Sequence, residues 1–350
     1  MLRYYTRACN FYYGNKSLRL VNKKKTFPLN GNKFISFDKL EIISRRKKKI
    51  ISIKEISKLP LKEKEQARKD LKRITCLKKN FSNLNFQMQI NVMGILNLTP
   101  DSFSDGGKFN NKILGYKHAL DLIKSGSKII DIGGESTRPG SKPINSKLEW
   151  NRIKHILKKI CKGNNVSLDT RKSDIMEKGI KLGVSLINDV SGLNYDKDTI
   201  KILKKYKTPF VLQHSIKSPE TMQNNPKYKN VLLDVYDFFE KRIEILRKKG
   251  IKHNKIILDP GIGFGKNLKH NLSLLKSISI FHSLGFPILL GVSRKKFIKD
   301  LSGLNDSKDR LGGTASASIF ALMNGVQIIR VHDVNEVMQS LKVFDKLLDQ

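Results

Sequence analysis

Acidic residues are scarce in this chain: 31 Asp and Glu stand against 68 Lys and Arg, a formal net charge of +37 over 350 residues. Residues 1–37 contain no acid at all. Such a balance first suggests nucleic acid or an anionic surface as partner. The lysines, however, run through every segment beside much Asn and Ile, without clusters of arginine and aromatics. That describes solvated faces, so no nucleic-acid partner is expected, although an anionic substrate would benefit from the field. Cysteine is equally sparse. Cys9, Cys76 and Cys161 are odd in number and far apart, which excludes a disulfide framework and a zinc site and fits a reducing compartment. No apolar run approaches the roughly 18 residues a membrane span needs, so a soluble protein with no membrane partner is expected. The acid-free start, with Arg3, Arg7 and Arg19, faintly resembles an organellar transit peptide. Because the rest is just as basic, the reading is a cytoplasmic protein of bacterial type.

What is present divides in two. Residues 1–88 read as a basic extension: β-prone runs at 34–43 and 50–56 flank the RRKKK cluster at 45–49, which predicts a small hairpin with a solvated charged tip. Leu59-Pro60 then punctuates, and Ala67, Leu71 and Ile74 mark one face of a helix. Residues 89–350 alternate short β-rich runs with helical periodicity. Eight strands are predicted, at 90–97, 128–132, 166–169, 186–190, 209–214, 255–259, 287–293 and 327–332. Helices between them are supported by spacings such as Ile153/Ile156/Leu157/Ile160 and Leu232/Val235/Phe239/Leu246. Runs such as IILD at 256–259 are apolar at consecutive positions, as in parallel strands covered on both faces. The expected fold is therefore α/β, a (β/α)8 TIM barrel with a small N-terminal extension. The unusual polar residues fall at strand ends: Asn97, Asp131, Asp169, Asn188, His214, Asp259, Ser293, Arg330 and His332. In a barrel those ends converge on one mouth, whereas an open sheet would concentrate them at a switch point.

Several stretches carry chemistry. In NVMGILNLTPDSFSDGG, residues 91–107, Asn97 offers one neutral oxygen to a magnesium ion otherwise bound by phosphate oxygens and water; a plain turn explains the same residues. In ESTRPG, residues 135–140, Thr137 and Arg138 offer hydrogen bonds and a permanent charge while Pro139 stiffens the tip; a surface turn explains the Pro and Gly but not the Arg. Asp169, Asn188 and Asp259 form a line of acceptors plus one donor, suited to a flat heterocycle presenting an amino group and ring N–H groups. Acid–base catalysis by the two carboxylates and plain salt bridging are the other readings. DPGIGFGK, residues 259–266, is not a phosphate loop, since Pro260 and Asn267 stand where that motif needs Gly and Ser or Thr. Its glycines allow close backbone approach, and Phe264 offers a flat apolar contact. Arg330 and His332 in RVHD lie two apart, so both project to one side of a strand and make an oxyanion cradle for a diphosphate.

With these stretches assembled, residues 91–350 resemble the bacterial dihydropteroate synthases: MGILNLTPDSFSDGG, DIGGESTRPG, SLDT, INDVSG, LDPGIGFGK, GVSRK and RVHDV occur in the family's order. The resemblance implies a barrel that joins 4-aminobenzoate to (7,8-dihydropterin-6-yl)methyl diphosphate, giving 7,8-dihydropteroate and diphosphate in folate biosynthesis. It implies Mg2+, a homodimer, small-molecule substrates and sulfonamide inhibition. By resemblance Asn97 is the metal and diphosphate ligand, and Asp169, Asn188 and Asp259 read the pterin edge. Lys295 contacts the pterin and aminobenzoate sides, Arg330 and His332 cradle the diphosphate, and these three are the catalytic set. Thr137, Arg138, Pro139, Phe103 and Phe264 shape the aminobenzoate site. The family's route resembles SN1 chemistry, with diphosphate leaving first and a pterin-methyl cation captured by the arylamine. The chain departs from the family at Gln213, where Met is common, and at Lys296, where Ser is common. A pterin-binding methyltransferase or non-catalytic paralogue would need neither SRK nor RVHD, and both are present. A basic nucleic-acid binder, the reading from another class, would lose affinity steeply with salt.

Overall fold

A computed structural model describes residues 3–80, 84–86, 90–99, 112–138, 140–216, 220–223 and 225–348. The N-terminal part holds β1 (Tyr5–Tyr13), α1 (Gly14–Asn22), β2 (Phe27–Leu29), β3 (Asn32–Ile43), β4 (Lys48–Ser52) and α2 (Leu61–Thr75). Its four strands form one antiparallel sheet in which β3 pairs with each of the other three. The hairpin expected from the sequence is β3–β4, and the helix marked by Ala67, Leu71 and Ile74 is α2. From Tyr5 on, the acid-free start is folded into the strands, helix and turns of this unit.

The remaining elements alternate strand and helix, with two helices in succession only between β11 and β12: β5 (Asn91–Asn97), α3 (Lys112–Lys124), β6 (Ile129–Gly133), α4 (Ser146–Ile160), β7 (Val166–Asp169), α5 (Ser173–Lys181), β8 (Leu186–Asp189), α6 (Thr199–Tyr206), β9 (Phe210–Gln213), α7 (Val231–Lys248), β10 (Ile256–Asp259), α8 (Leu268–Lys276), β11 (Leu289–Gly291), α9 (Lys296–Ser302), α10 (Leu311–Met323), β12 (Ile328–Val331) and α11 (Val334–Leu348). The eight strands β5 to β12 are parallel neighbours in chain order, and a parallel bridge between Leu258 and Ile288 joins β10 to the segment entering β11. That is the eight-stranded α/β barrel the alternation predicts.

Strand periodicity sorts the side chains into two sets. Leu96, Ile132, Leu168, Ile187, Leu212, Leu258, Leu290 and Ile329 belong to the large cluster shared with the surrounding helices. Met93, Ile129, Leu186, Val211, Ile257, Leu289 and Ile328 point the other way and pack with Leu84 and Phe86 into a separate apolar floor inside the barrel. Residues two further along share a face. Directly beyond the floor, the interior positions are therefore Ile95, Asp131, Asn188, Gln213, Asp259, Gly291 and Arg330. The apolar layer supplies stability, and the next layer toward the mouth is mainly polar.

The extension is fastened to the barrel's flank by specific contacts. Tyr5 Oη donates to Asp237 Oδ1 at 2.9 Å, and Arg45 reaches Asp234 and Asp237 at 2.8 Å each, all on α7. Asn30 meets His282 Nδ1 at 3.2 Å, and Ser279 Oγ donates to the carbonyl of Ala8 at 3.1 Å. The hairpin tip expected to be solvated thus uses Arg45 to grip α7, because that helix presents two of the chain's few carboxylates there.

Candidate active site at the barrel mouth

Three buried carboxyls, two carboxamides and one guanidinium occupy the polar layer. Arg330 on β12 donates through Nε to Asp131 Oδ2 at 2.6 Å and through a terminal nitrogen to Asp169 Oδ2 at 3.0 Å. Asn188 Nδ2 donates to the same Asp131 oxygen at 2.9 Å. Asp169, Asn188 and Arg330 are therefore brought together around Asp131, although their strands are far apart in sequence. Burial, reinforced by the neighbouring charge of Asp131, pushes the Asp169 carboxyl upward. Burial also raises Asp259, against the opposing pull of Lys295. One oxygen each of Asp131, Asp169 and Asn188 is buried with no hydrogen-bond partner among the described residues, and so is the amide nitrogen of Gln213.

Above this layer opens a cavity of about 700 Å³. Asn97, Thr137, Arg138, Phe264, Lys295, Arg330 and His332 all line it, so seven positions expected from sequence meet in one space. Asp169, Asn188 and Asp259 lie beneath, each almost wholly buried. Phe103 and Pro139 fall outside the described residues.

The cationic wall is built by local folding. Arg294, in the left-handed region at φ 58°, makes a paired ion contact with Asp333, one arm Nε to Oδ2 at 2.9 Å. This clasp ties the loop after β11 to the loop after β12. Ser293 Oγ lies 3.0 Å from His332 Nδ1, fixing the imidazole. Burial first, then Arg294, Arg330, Arg138 and Lys295, hold His332 well below its usual value, so the ring is neutral at pH 7. Lys295 donates to the carbonyl of Ile262 and lies 4.9 Å from the Phe264 ring centroid. Burial lowers its ammonium to about 8. Gly261 is required where it stands: at φ +67° a Cβ would lie 2.2 Å from the carbonyl of His214. Lys296 pairs with Asp300 at 2.9 Å and is largely exposed.

Sequence reasoning left two groups without roles. Asp131 was visible only as a polar strand residue, since its partners come from β8 and β12. Glu135 accepts from Ile144 N at 2.9 Å and from the buried Lys172 Nζ at 2.8 Å and Arg171 at 2.9 Å, and so pins the loop carrying Thr137 and Arg138 to the exit of β7. The GGES run held that residue but not its partners.

Among the described residues no group of three or more His, Cys, Asp or Glu could hold a metal by itself. Asn97 presents a neutral carboxamide in the cavity wall, which fits a magnesium ion bound mainly through phosphate oxygens and water.

A parallel barrel with a polar layer and a cationic rim defines an enzyme that receives a polar heterocycle beside an anion. The profile of the family described as "Pterin binding enzyme" matches residues 93–332, and the chain belongs to that family, among its dihydropteroate synthases. The dihydropteroate synthase of Escherichia coli K12 is 41% identical over 259 residues, 73% of this chain and 91% of that protein. The Yersinia pestis dihydropteroate synthase, solved with a sulfonamide drug complex, aligns with TM-score 0.71 and 38% identity over 74% of this chain and 94% of that one. The Xanthomonas albilineans enzyme with 4-aminobenzoic acid aligns with TM-score 0.69 and 33% identity over 74% and 93%. The activity is thus that of a transferase in folate biosynthesis.

Proposed function

We propose that the polar layer binds the dihydropterin and that the cationic rim removes its diphosphate. The observation that carries this reading is the set of unpartnered buried oxygens on Asp131, Asp169 and Asn188. Buried acceptors without donors are costly, and an amino group with adjacent ring N–H groups would satisfy them. Asp259 extends the same edge. The unpartnered Gln213 amide faces the acceptor side of the ring.

In the reaction, the bond between the pterin methylene carbon and the diphosphate oxygen breaks, and both electrons leave with the diphosphate. Arg330 and the neutral ring N–H of His332 hold the departing oxygens, and Lys295 adds charge beside Phe264. Asn97 would hold a magnesium ion, which would supply neutralisation of the diphosphate charge. The carboxyls beneath stabilise the pterin-methyl cation. The amine nitrogen of 4-aminobenzoate, positioned by Thr137, Arg138, Pro139, Phe103 and Phe264, then forms the new C–N bond and yields one proton to solvent. Aminobenzoate binds after the diphosphate substrate.

Residues 89–350 carry this chemistry and residues 1–88 form a docked extension. A homodimer is supported by exposed Phe320 on α10 and by Val343 and Leu347 on the adjacent α11. Cytoplasmic residence is supported by three free cysteines, and no described helix is long and apolar enough to cross a membrane. The test is diphosphate release on mixing purified protein with both substrates and Mg2+. Release that depends on both substrates and falls on adding a sulfonamide supports the reading; release unaffected by omitting aminobenzoate overturns it.

A further inference from the structure

At the end of the barrel opposite the mouth lies a second cavity, of about 460 Å³, where the segment after α2 passes beneath the starts of β10 and β11. Its described lining contains Lys78, Lys79 and Lys252 and no carboxylate. Lys78 is the informative one. It is 4% exposed, yet its ammonium has one described partner, the carbonyl of Arg73 in the last turn of α2 at 2.8 Å. A buried cation ordinarily sits against an acid, because desolvation is otherwise uncompensated. Burial, with Arg73 adding repulsion, lowers it to about 8. His253 brings no compensating charge: its Nδ1 lies 2.8 Å from the Arg247 guanidinium and its Nε2 3.0 Å from the carbonyl of Gly285, so the ring is neutral and fully engaged. Leu77, Ile256 and Pro287 supply an apolar wall.

We propose that this cavity is a binding site for a small organic phosphate, its phosphate held by Lys78, Lys79 and Lys252 and its body packed on Leu77, Ile256 and Pro287. Three compact ammonium charges from two separate segments suit a tetrahedral dianion with three free oxygens better than a planar monocarboxylate. The volume falls in the range that admits a metabolite-sized ligand. The site belongs to the junction between extension and barrel, so occupancy would tie the two together.

Cys76, exposed at the rim, gives a local readout far from the mouth. The full chain is alkylated with iodoacetamide and modification at each cysteine is followed by mass spectrometry. Phenyl phosphate is expected to slow Cys76 alkylation at least fivefold and saturably, inorganic phosphate to do so at higher concentration, and benzoate to leave it unchanged. Cys161 should show no protection. Lys78→Met is expected to abolish protection at Cys76. Should that variant fail to fold, Lys252→Met must weaken protection at least threefold. Absence of slowing by both phosphates, equal slowing by benzoate, or undiminished protection in the folded lysine variant would each overturn the assignment.

Discussion

At the scale of single residues, Lys295 and Arg330 differ in what surrounds them, and their substitutions should differ accordingly. Lys295 bonds to a backbone carbonyl, so Lys295→Ala is expected to cut kcat/KM by about a hundredfold or more while the melting temperature moves little. Arg330 is the counter-ion of two buried acids. Arg330→Ala leaves Asp131 and Asp169 unpaired and should cost about 3–5 kcal/mol of stability in addition to activity. Denaturant unfolding beside steady-state kinetics separates the two; equal stability losses would remove Asp131 and Asp169 as partners of the guanidinium. Gln213 makes the opposite case. Its buried amide nitrogen is unpartnered, so Gln213→Met should stabilise the ligand-free protein by about 1–2 kcal/mol and reduce the extra stability gained on adding the pterin substrate. An unchanged pterin-induced shift in melting temperature would count against a contact to the ring. These differences were not legible in sequence. The resemblance placed Arg330 as an anion binder, but an ion pair to Asp131, 199 residues away, appears only once strands close into a barrel.

At the scale of elements, the eight strands could be read because parallel strands buried on both faces leave short apolar runs, and helices between them keep a 3.6-residue period. The polar residue ending each run gave the site. The extension was only half legible. The β3–β4 hairpin is local, two β-prone runs flanking one charged cluster, whereas β1 pairs with β3 across α1 and β2, and β1's partners cannot be deduced from its own pattern. What joins extension to barrel is also non-local, and it carries a pH signature. His282, fully buried, lies 3.2 Å from Asn30 of the extension through Nδ1 and donates through Nε2 to the carbonyl of Asn324 at 2.8 Å. Burial drives it from 6.5 down to about 3. Between those values the unfolded chain binds a proton that the folded chain does not. Stability from this group is complete above about 6.5 and falls as pH drops toward 3. At pH 5 the loss should be about 2 kcal/mol relative to pH 7. His282→Gln should remove that part of the pH dependence, measured as the difference between the two stability–pH curves; parallel curves would show that His282 is not buried neutral.

At the scale of the whole molecule, the charge that first suggested nucleic acid has a different use in a synthase. Both substrates are anions, one with a diphosphate and one with a carboxylate, and a net charge of +37 surrounds the mouth with positive potential. Such a field raises encounter rates with anions by roughly ten- to a thousandfold at low salt and is screened beyond about 8 Å at physiological ionic strength. The rim supplies the short-range part through Arg138, Arg294, Lys295 and Arg330, and the carboxylates paired with Arg294 and Arg330, Asp333 and Asp131, are largely buried and resist screening. Salt should therefore act on capture and not on chemistry. Raising ionic strength from about 0.02 to about 0.5 M is expected to lower kcat/KM for the diphosphate substrate by about tenfold, leaving kcat within about twofold. Charge-reversing a set of exposed lysines far from the mouth should reproduce part of that loss at low salt and none at high salt. A kcat that fell in step with kcat/KM would mean that salt reaches the buried ion pairs, and the surface charge would then have no role in delivering substrate.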